Sequence, residues 1–96
     1  MVFAITLVPE AIADLRRLRA HVQAEVRDAT ERHLRHQPTK VSKSRIKRLR
    51  GLSHPQYRLR VEDFKVFYDV TGAEVTVLAS VAKPDVDAWL AEPGRP

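Results

Sequence analysis

An alternating stretch, YRLRVEDFKVFYDV at residues 57–70, constrains the fold of this chain more than any other feature. Apolar residues recur at every second position on both sides of Glu62 and Asp63, and this period is typical of strands with one buried face. The acidic pair fits a two-residue connection, so the stretch predicts a β-hairpin with strands over residues 56–61 and 64–71. Other elements must then cover one face of the sheet.

The hairpin connection also predicts the register and the two faces. Arg60 would lie opposite Lys65, and Arg58 opposite Phe67. One face would be core, made of Tyr57, Leu59, Val61, Phe64, Val66, Tyr68 and Val70. The other would present Arg58, Arg60, Lys65 and Phe67. Like charges across a ladder cost up to about 1 kcal/mol, so this face indicates either an anion site or a solvated outer surface.

The N-terminal third predicts a strand and two helices. Residues 2–8 are rich in β-branched and large apolar side chains, which favours a strand. Between residues 10 and 38 the apolar positions follow a helical period, and we prefer a helical hairpin to one long helix because the apolar stripe thins near residues 19–21. Pro38 ends the helical region.

The rest of the chain predicts a loop, a third meander strand and a short helix. The loop covers residues 39–51 and is expected to be partly ordered. The strand covers residues 74–82, with Val75, Val77, Ala79 and Val81 on one face. Residues 84–92 predict the helix, which Trp89 would anchor to the sheet.

The predicted order is β-α-α-β-β-β-α. It describes one α+β domain over residues 1–96, in which two N-terminal helices pack on a small antiparallel sheet. Residues 93–96 are expected to form a loose tail.

Composition narrows the functional classes. The chain has no cysteine, which excludes thiolate chemistry and disulfides and favours a cytoplasmic location. We expect no membrane partner, because no apolar run approaches the roughly 18 residues of a spanning helix, and no secretory leader. We also expect no cofactor or metal: His33 and His36 have a possible ligand spacing, but no carboxylate-rich partner is near in sequence.

A basic tract, KVSKSRIKRLRG at residues 40–51, indicates an anionic partner. It has Lys or Arg at intervals of one to three residues and no acid, within a chain of formal net charge +5. The alternative is a solvated basic surface. Next to the hairpin cations, the tract favours nucleic acid. The candidate RNA-binding residues are Lys43, Arg45, Lys47, Arg48, Arg50 and, as a stacking ring, Phe67.

The order of elements, LRG at residues 49–51, the hairpin, and VLASVAK at 77–83 together resemble the RelE/ParE superfamily of toxins from bacterial type II toxin–antitoxin modules. The resemblance covers essentially the whole chain. It implies two N-terminal helices on a small antiparallel sheet and a co-expressed antitoxin that wraps the toxin, with a toxin–antitoxin hetero-oligomer as one expected form. RelE-like members are implied to be metal-independent mRNA endonucleases that act on the ribosome, whereas ParE-like members poison DNA gyrase.

The resemblance also implies roles for individual residues. Arg58, Arg60 and Lys65 match the basic residues that hold the scissile phosphate. Lys83 stands where RelE-like nucleases tend to have an arginine after the last strand.

The sequence departs from this pattern at the acid–base position. RelE-like nucleases tend to have a tyrosine or histidine near the C-terminus, where this chain has Trp89 and Leu90. His54 is the candidate replacement, because an imidazole titrates near pH 6.5. Glu62 and Asp63 are further candidate bases.

Two functions therefore remain open. One is a RelE-like mRNA endoribonuclease that inhibits translation, favoured by the basic tract because ribosomal RNA is strongly anionic. The other is a ParE-like gyrase inhibitor or an inactive antitoxin-binding module, favoured by the missing C-terminal acid. Both have a cognate antitoxin as partner, and the first adds the ribosome and mRNA.

Overall fold

The computed structural model describes residues 1–51 and 53–92, so the predicted tail at residues 93–96 lies outside the described part. Its elements are β1 (Ala4–Leu7), α1 (Pro9–Arg16), α2 (Ala20–Leu34), β2 (Ile46–Arg48), β3 (Tyr57–Val61), β4 (Phe64–Thr71), β5 (Glu74–Ala82), a short 3-10 helix (Lys83–Asp85) and α3 (Val86–Ala91). The α+β class and the helical hairpin are confirmed. In the described residues, no helix has the length and apolar character needed to cross a membrane.

The sheet has five strands in the order β1-β5-β4-β3-β2. The pairs from β2 to β5 are antiparallel, as predicted for the meander. β1 instead runs parallel to β5, so the sheet is mixed. The reason is the path of the chain: β1 is followed by both helices, and its neighbour in the sheet is formed only by the last strand.

The predicted loop at residues 39–51 contains a strand. Ile46 is 4% exposed and pairs with Leu59, so this apolar residue of the basic tract enters the core. Ser42 closes the turn that precedes β2: its N–H donates to the Ile46 carbonyl at 2.9 Å, and its Oγ accepts the N–H groups of Arg45 and Ile46. A strand of three residues with one apolar position gives too short a pattern to be recognised in the sequence.

The main core lies between the two N-terminal helices and one face of the sheet, which we call the helix face. Ala11 and Leu15 of α1 and Val26 and Leu34 of α2 are buried there. The sheet contributes Ile46, Leu59, Val61, Val66, Tyr68, Val75 and Val77. The predicted core face of the hairpin is therefore the face that the helices cover.

A bulge divides β5 between the two faces of the sheet. Phe67 pairs with Ala79 and Tyr68 pairs with Val77, so Leu78 has no partner on β4. One extra residue moves the following side chains to the other face. Val75 and Val77 lie in the main core, whereas Ala79 and Val81 lie in a second cluster. The prediction of one common face for these residues was wrong, because a bulge leaves the alternation of the sequence unchanged.

The second cluster lies on the opposite face, under α3. Phe67, Ala79 and Val81 form it with half-buried side chains from α3, among them Trp89. The rings of Phe67 and Trp89 are stacked, with centroids 4.6 Å apart and an angle of 14° between their planes. Trp89 is thus the anchor that the sequence predicted, and α3 covers part of the face that was expected to be open to solvent.

Candidate nucleic-acid interface

The hairpin has the predicted register. Its pairs are Tyr57 with Tyr68, Arg58 with Phe67, Leu59 with Val66, Arg60 with Lys65, and Val61 with Phe64. Glu62 adopts a positive φ of 52°, which lets the two-residue connection turn the chain tightly. Arg58, Arg60 and Lys65 consequently share the opposite face of the sheet, beside the part covered by α3.

Two further lysines join these residues. Lys47 of β2 lies directly opposite Arg58 in the ladder and so shares its face. Lys83 follows β5, and its N–H donates to the Asp63 carbonyl at 2.7 Å, which fixes its backbone beside the hairpin turn. We call the resulting group the cationic cluster: Lys47, Arg58, Arg60, Lys65 and Lys83.

The electrostatics of the cluster are seen at Lys65. Burial lowers the pKa of its ammonium, and the positive charges of Arg58, Arg60, Lys83 and Lys47 lower that pKa further. The pKa of Arg58 is also lowered, first by burial and then by the charge of Arg60. These cations therefore raise one another's energy, and an anion bound among them would relieve the repulsion.

Arg58 has an unsatisfied donor. Its Nη1 is buried and has no hydrogen-bond partner among the residues that the structure describes. A buried donor without an acceptor costs about 1–3 kcal/mol, so such groups are rare and require an explanation. A phosphate offers the oxygens that a guanidinium binds in a fork geometry, and it would satisfy this group.

The fold separates the residues of the basic tract. Lys47 joins the cluster, whereas Arg48 faces the other way: its guanidinium carbon is 5.1 Å from the centroid of the Tyr57 ring, and its Nη1 donates to the Gln56 carbonyl at 2.7 Å. Lys43 is exposed in the turn before β2, and Arg50 is exposed next to Gly51. Arg45 lies at the end of the sheet near Glu62 and α2.

Phe67 is not available as a stacking platform. Only 1% of the residue is exposed, and its ring is stacked on Trp89. The prediction that it would stack on a base was wrong because it assumed an uncovered face, and the sequence alone did not place α3 there.

His54 lies away from the cationic cluster. Its Nδ1 is 2.5 Å from Oδ2 of Asp69, whose other oxygen accepts the N–H of Gln56 at 2.7 Å. Asp69 is four residues from Lys65 along β4, which corresponds to about 13 Å. This network connects the loop before β3 to β4, and the structure does not bring His54 together with the cationic cluster.

The turn acids have different surroundings. Glu62 lines a shallow pocket of about 230 Å³ with Ser44, Arg45 and Arg60. Asp63 contributes its backbone carbonyl to Lys83.

Sequence reasoning missed the place of Lys47 in the cluster. The only available signal was the apolar Ile46 that precedes it.

Comparisons with known proteins agree with this architecture. The sequence matches the family model described as "ParE toxin of type II toxin-antitoxin system, parDE" over residues 5–83. A sequence search among curated proteins gave no match.

The structure is similar to the toxin–antitoxin complex RelBE2 from Mycobacterium tuberculosis, with a TM-score of 0.74 and 19% identity over 85% of this chain and 99% of that chain. It is similar to the RelB–RelE complex from Methanococcus jannaschii, with a TM-score of 0.66 and 17% identity over 88% and 96%. The archaeal RelE–RelB complex from Pyrococcus horikoshii gives a TM-score of 0.63 and 21% identity over 86% and 97%. At these identities the similarity shows a shared fold.

Proposed function

This chain belongs to the ParE toxin family of type II toxin–antitoxin systems, and we propose that it is a toxin that cleaves mRNA on the ribosome, as a RelE-like endoribonuclease, and so inhibits translation in the cytoplasm. The observation that carries the proposal is the buried Nη1 of Arg58 within the cationic cluster, which has no hydrogen-bond partner among the described residues. A cognate antitoxin is the protein partner of the proposed toxin, with the ribosome and mRNA as its target.

The reaction that fits the cluster is transesterification of the RNA backbone. The ribose 2′-oxygen would attack the neighbouring phosphorus, and the 5′-oxygen of the next nucleotide would leave. The products would be a 2′,3′-cyclic phosphate and a 5′-hydroxyl. In the transition state the phosphoryl oxygens gain negative charge, which Arg58 and Arg60 would stabilise through fixed N–H donors.

Lys65 would take the proton-transfer role for which RelE-like nucleases tend to have a tyrosine or histidine near the C-terminus. Burial, the largest cause of the lowered pKa of Lys65, favours the neutral amine, and a neutral amine is a base that would accept the proton of the 2′-hydroxyl. Lys83, held beside the turn by Asp63, would donate a proton to the leaving 5′-oxygen. This assignment uses residues within the cluster and leaves His54 outside the chemistry.

Gyrase inhibition is the second candidate. The family description favours it, and so does the absence of an imidazole or phenol from the cationic cluster in the described part of the chain. Under this alternative the cluster would bind an anionic surface without breaking a bond.

Induction of the chain in bacteria without its antitoxin separates the two candidates. We expect mRNA cuts that keep a fixed phase relative to the codons, because the ribosome would position the message. Primer extension on total RNA would detect them. Intact transcripts together with gyrase-dependent DNA breaks would refute the nuclease and support the alternative.

Substitution of Lys65 tests the proton-transfer role. Wild-type cleavage is expected to accelerate as pH rises toward the lowered pKa of Lys65, because only the neutral amine accepts a proton. Lys65→Arg keeps the positive charge but stays protonated, so we expect a loss of about 10²-fold or more and no rising limb. The measurement is single-turnover cleavage of a ribosome-bound message between about pH 6 and pH 9.

The matched control is the charge-conserving exchange Arg16→Lys, at an exposed position of α1. It should retain the wild-type rate and pH profile. If Lys65→Arg keeps the rising limb, Lys65 is not the base.

A further inference from the structure

A second group of basic side chains lies between the C-terminus of α2 and the turn that precedes β2. A cleft of about 280 Å³ is lined there by Arg32, His33, His36, Lys40 and Arg45, together with the polar Gln37 and Ser42 and the apolar Ile46. None of the lining residues is acidic. We call this the basic cleft. Its volume lies at the small end of the range for ligand pockets, which suits one phosphate and its sugar better than a large ligand.

The charges around His33 describe the field in the cleft. Burial lowers the pKa of its imidazole, and the positive charges of Arg45 and Arg32 lower it further. Arg32 pairs with Asp28 at 2.6 Å, so its charge is partly compensated. The carboxylates of Glu25, Asp28 and Glu62 line an adjacent pocket, which shares Arg32, His33 and Arg45 with the cleft. Arg32 is thus the cleft-lining cation with an acidic partner in this region, and in the described part of the chain no acidic side chain lines the cleft itself.

The basic cleft is connected to the cationic cluster. Arg45 lines the cleft and also lines the shallow pocket that contains Arg60 and Glu62. Arg60 in turn belongs to the cluster, opposite Lys65. The basic cleft and the shallow pocket beside the cluster therefore adjoin at Arg45, and Glu62 is the one acid that lines either of these two concavities among the described residues.

We propose that the basic cleft is a second phosphate subsite, which holds the backbone of the same RNA strand whose scissile phosphate lies on the cationic cluster. The continuity through Arg45 and Arg60 favours a flexible polyanion, because such a strand would occupy both sites at once. The inference rests on the proposed function, since it takes RNA as the ligand. It extends that function by giving the strand a path toward α2.

The test is binding of single-stranded RNA to the purified full chain, made by cell-free synthesis. The probes are labelled 2′-O-methyl oligonucleotides of roughly 4 and roughly 12 nucleotides, which span the usual range of single-strand sites. They lack the attacking hydroxyl, so binding is measured without cleavage. The variant is Lys40→Gln with Arg45→Gln, and the control of equal charge is Arg16→Gln with Arg19→Gln, which are also exposed.

The double variant at Lys40 and Arg45, the cleft variant, is expected to bind the longer probe on the order of tenfold more weakly than wild type. Its slope of log K against log salt should be less steep by about 1.4, since two phosphate contacts are removed. The short probe should bind both variants equally, because it fits on the cluster alone. NMR titration of wild type should show that the longer probe raises the pKa of His33, and the restoring variant Arg45→Lys should recover most of the affinity.

Equal losses in the cleft variant and the control would overturn the subsite. So would a cleft variant that binds RNA normally but loses affinity for its antitoxin, since the cleft would then be a protein interface. The proposed nuclease fails separately: a wild-type chain that leaves ribosome-bound mRNA intact, yet still shows cleft-dependent binding of the longer probe, would retain the subsite and lose the enzyme.

Discussion

Replacing Arg58 with methionine is expected to lower the rate of mRNA cleavage by about 10²- to 10³-fold and to make the protein more stable. The loss of rate follows because methionine keeps the length and apolar stem of the side chain but removes the donors that would bind the phosphate. The gain in stability follows because Nη1 of Arg58 is buried without a partner among the described residues. Removing an unsatisfied donor should increase the free energy of unfolding by about 1 kcal/mol.

Two measurements on the same variant check this pair of effects. Cleavage is followed on ribosome-bound message, and stability by urea unfolding of the isolated chain. Arg16→Met is the control, because Arg16 is exposed on α1. It should change neither the rate nor the stability beyond about 0.5 kcal/mol. A fully toxic Arg58→Met variant would contradict the phosphate site, whereas an inactive but less stable variant would show that Arg58 supports the fold.

Opposite effects on activity and stability are the signature of a binding site held ready in the free protein. Arg60 lies across the ladder from Lys65, and Lys47 lies across from Arg58, so like charges face each other at two neighbouring pairs. Each such contact costs stability in the unbound fold. A fold selected only for stability would not place these like charges opposite each other. A bound phosphate would attract all of them and so offset their mutual repulsion.

The hairpin could be predicted from sequence because its signals agree. Alternation, the acidic connection and the apolar face of the helices all require the same register, and a shift by one residue would put Leu59 and Val66 in solvent. The shared face of Arg58, Arg60 and Lys65 follows from this register and was therefore predicted correctly.

Other features depend on contacts that no local pattern records. The parallel pairing of β1 with β5 joins segments about 70 residues apart, as shown by Ala4 and Glu74. The bulge beside Phe67 exchanges the faces of β5 without altering the alternation of its sequence. The strand at Ile46 is defined by its partner Leu59 more than by its own composition. Burial of Arg58 and the lowered pKa of Lys65 follow from these placements, so the sequence alone could not indicate them.

Phe67 provides the sharpest difference between the sequence-based prediction and the structure. As a stacking platform it would contribute to RNA affinity and little to stability. In the structure it is buried against Trp89, with ring centroids 4.6 Å apart, so Phe67→Ala should cost about 3–5 kcal/mol of unfolding free energy. A loss of this size is a large part of the stability of a small domain.

Phe67→Leu keeps the experiment informative if the alanine variant does not fold. Leucine preserves most of the apolar volume but removes the aromatic face, so we expect a smaller cost, on the order of 1.5 kcal/mol, and unchanged affinity for 2′-O-methyl RNA. The control is Phe64→Ala, a half-buried phenylalanine of the same hairpin, which should cost less than Phe67→Ala in urea unfolding. A leucine variant that stays stable but binds RNA several-fold more weakly would restore the stacking role and place α3 away from this ring when RNA is bound.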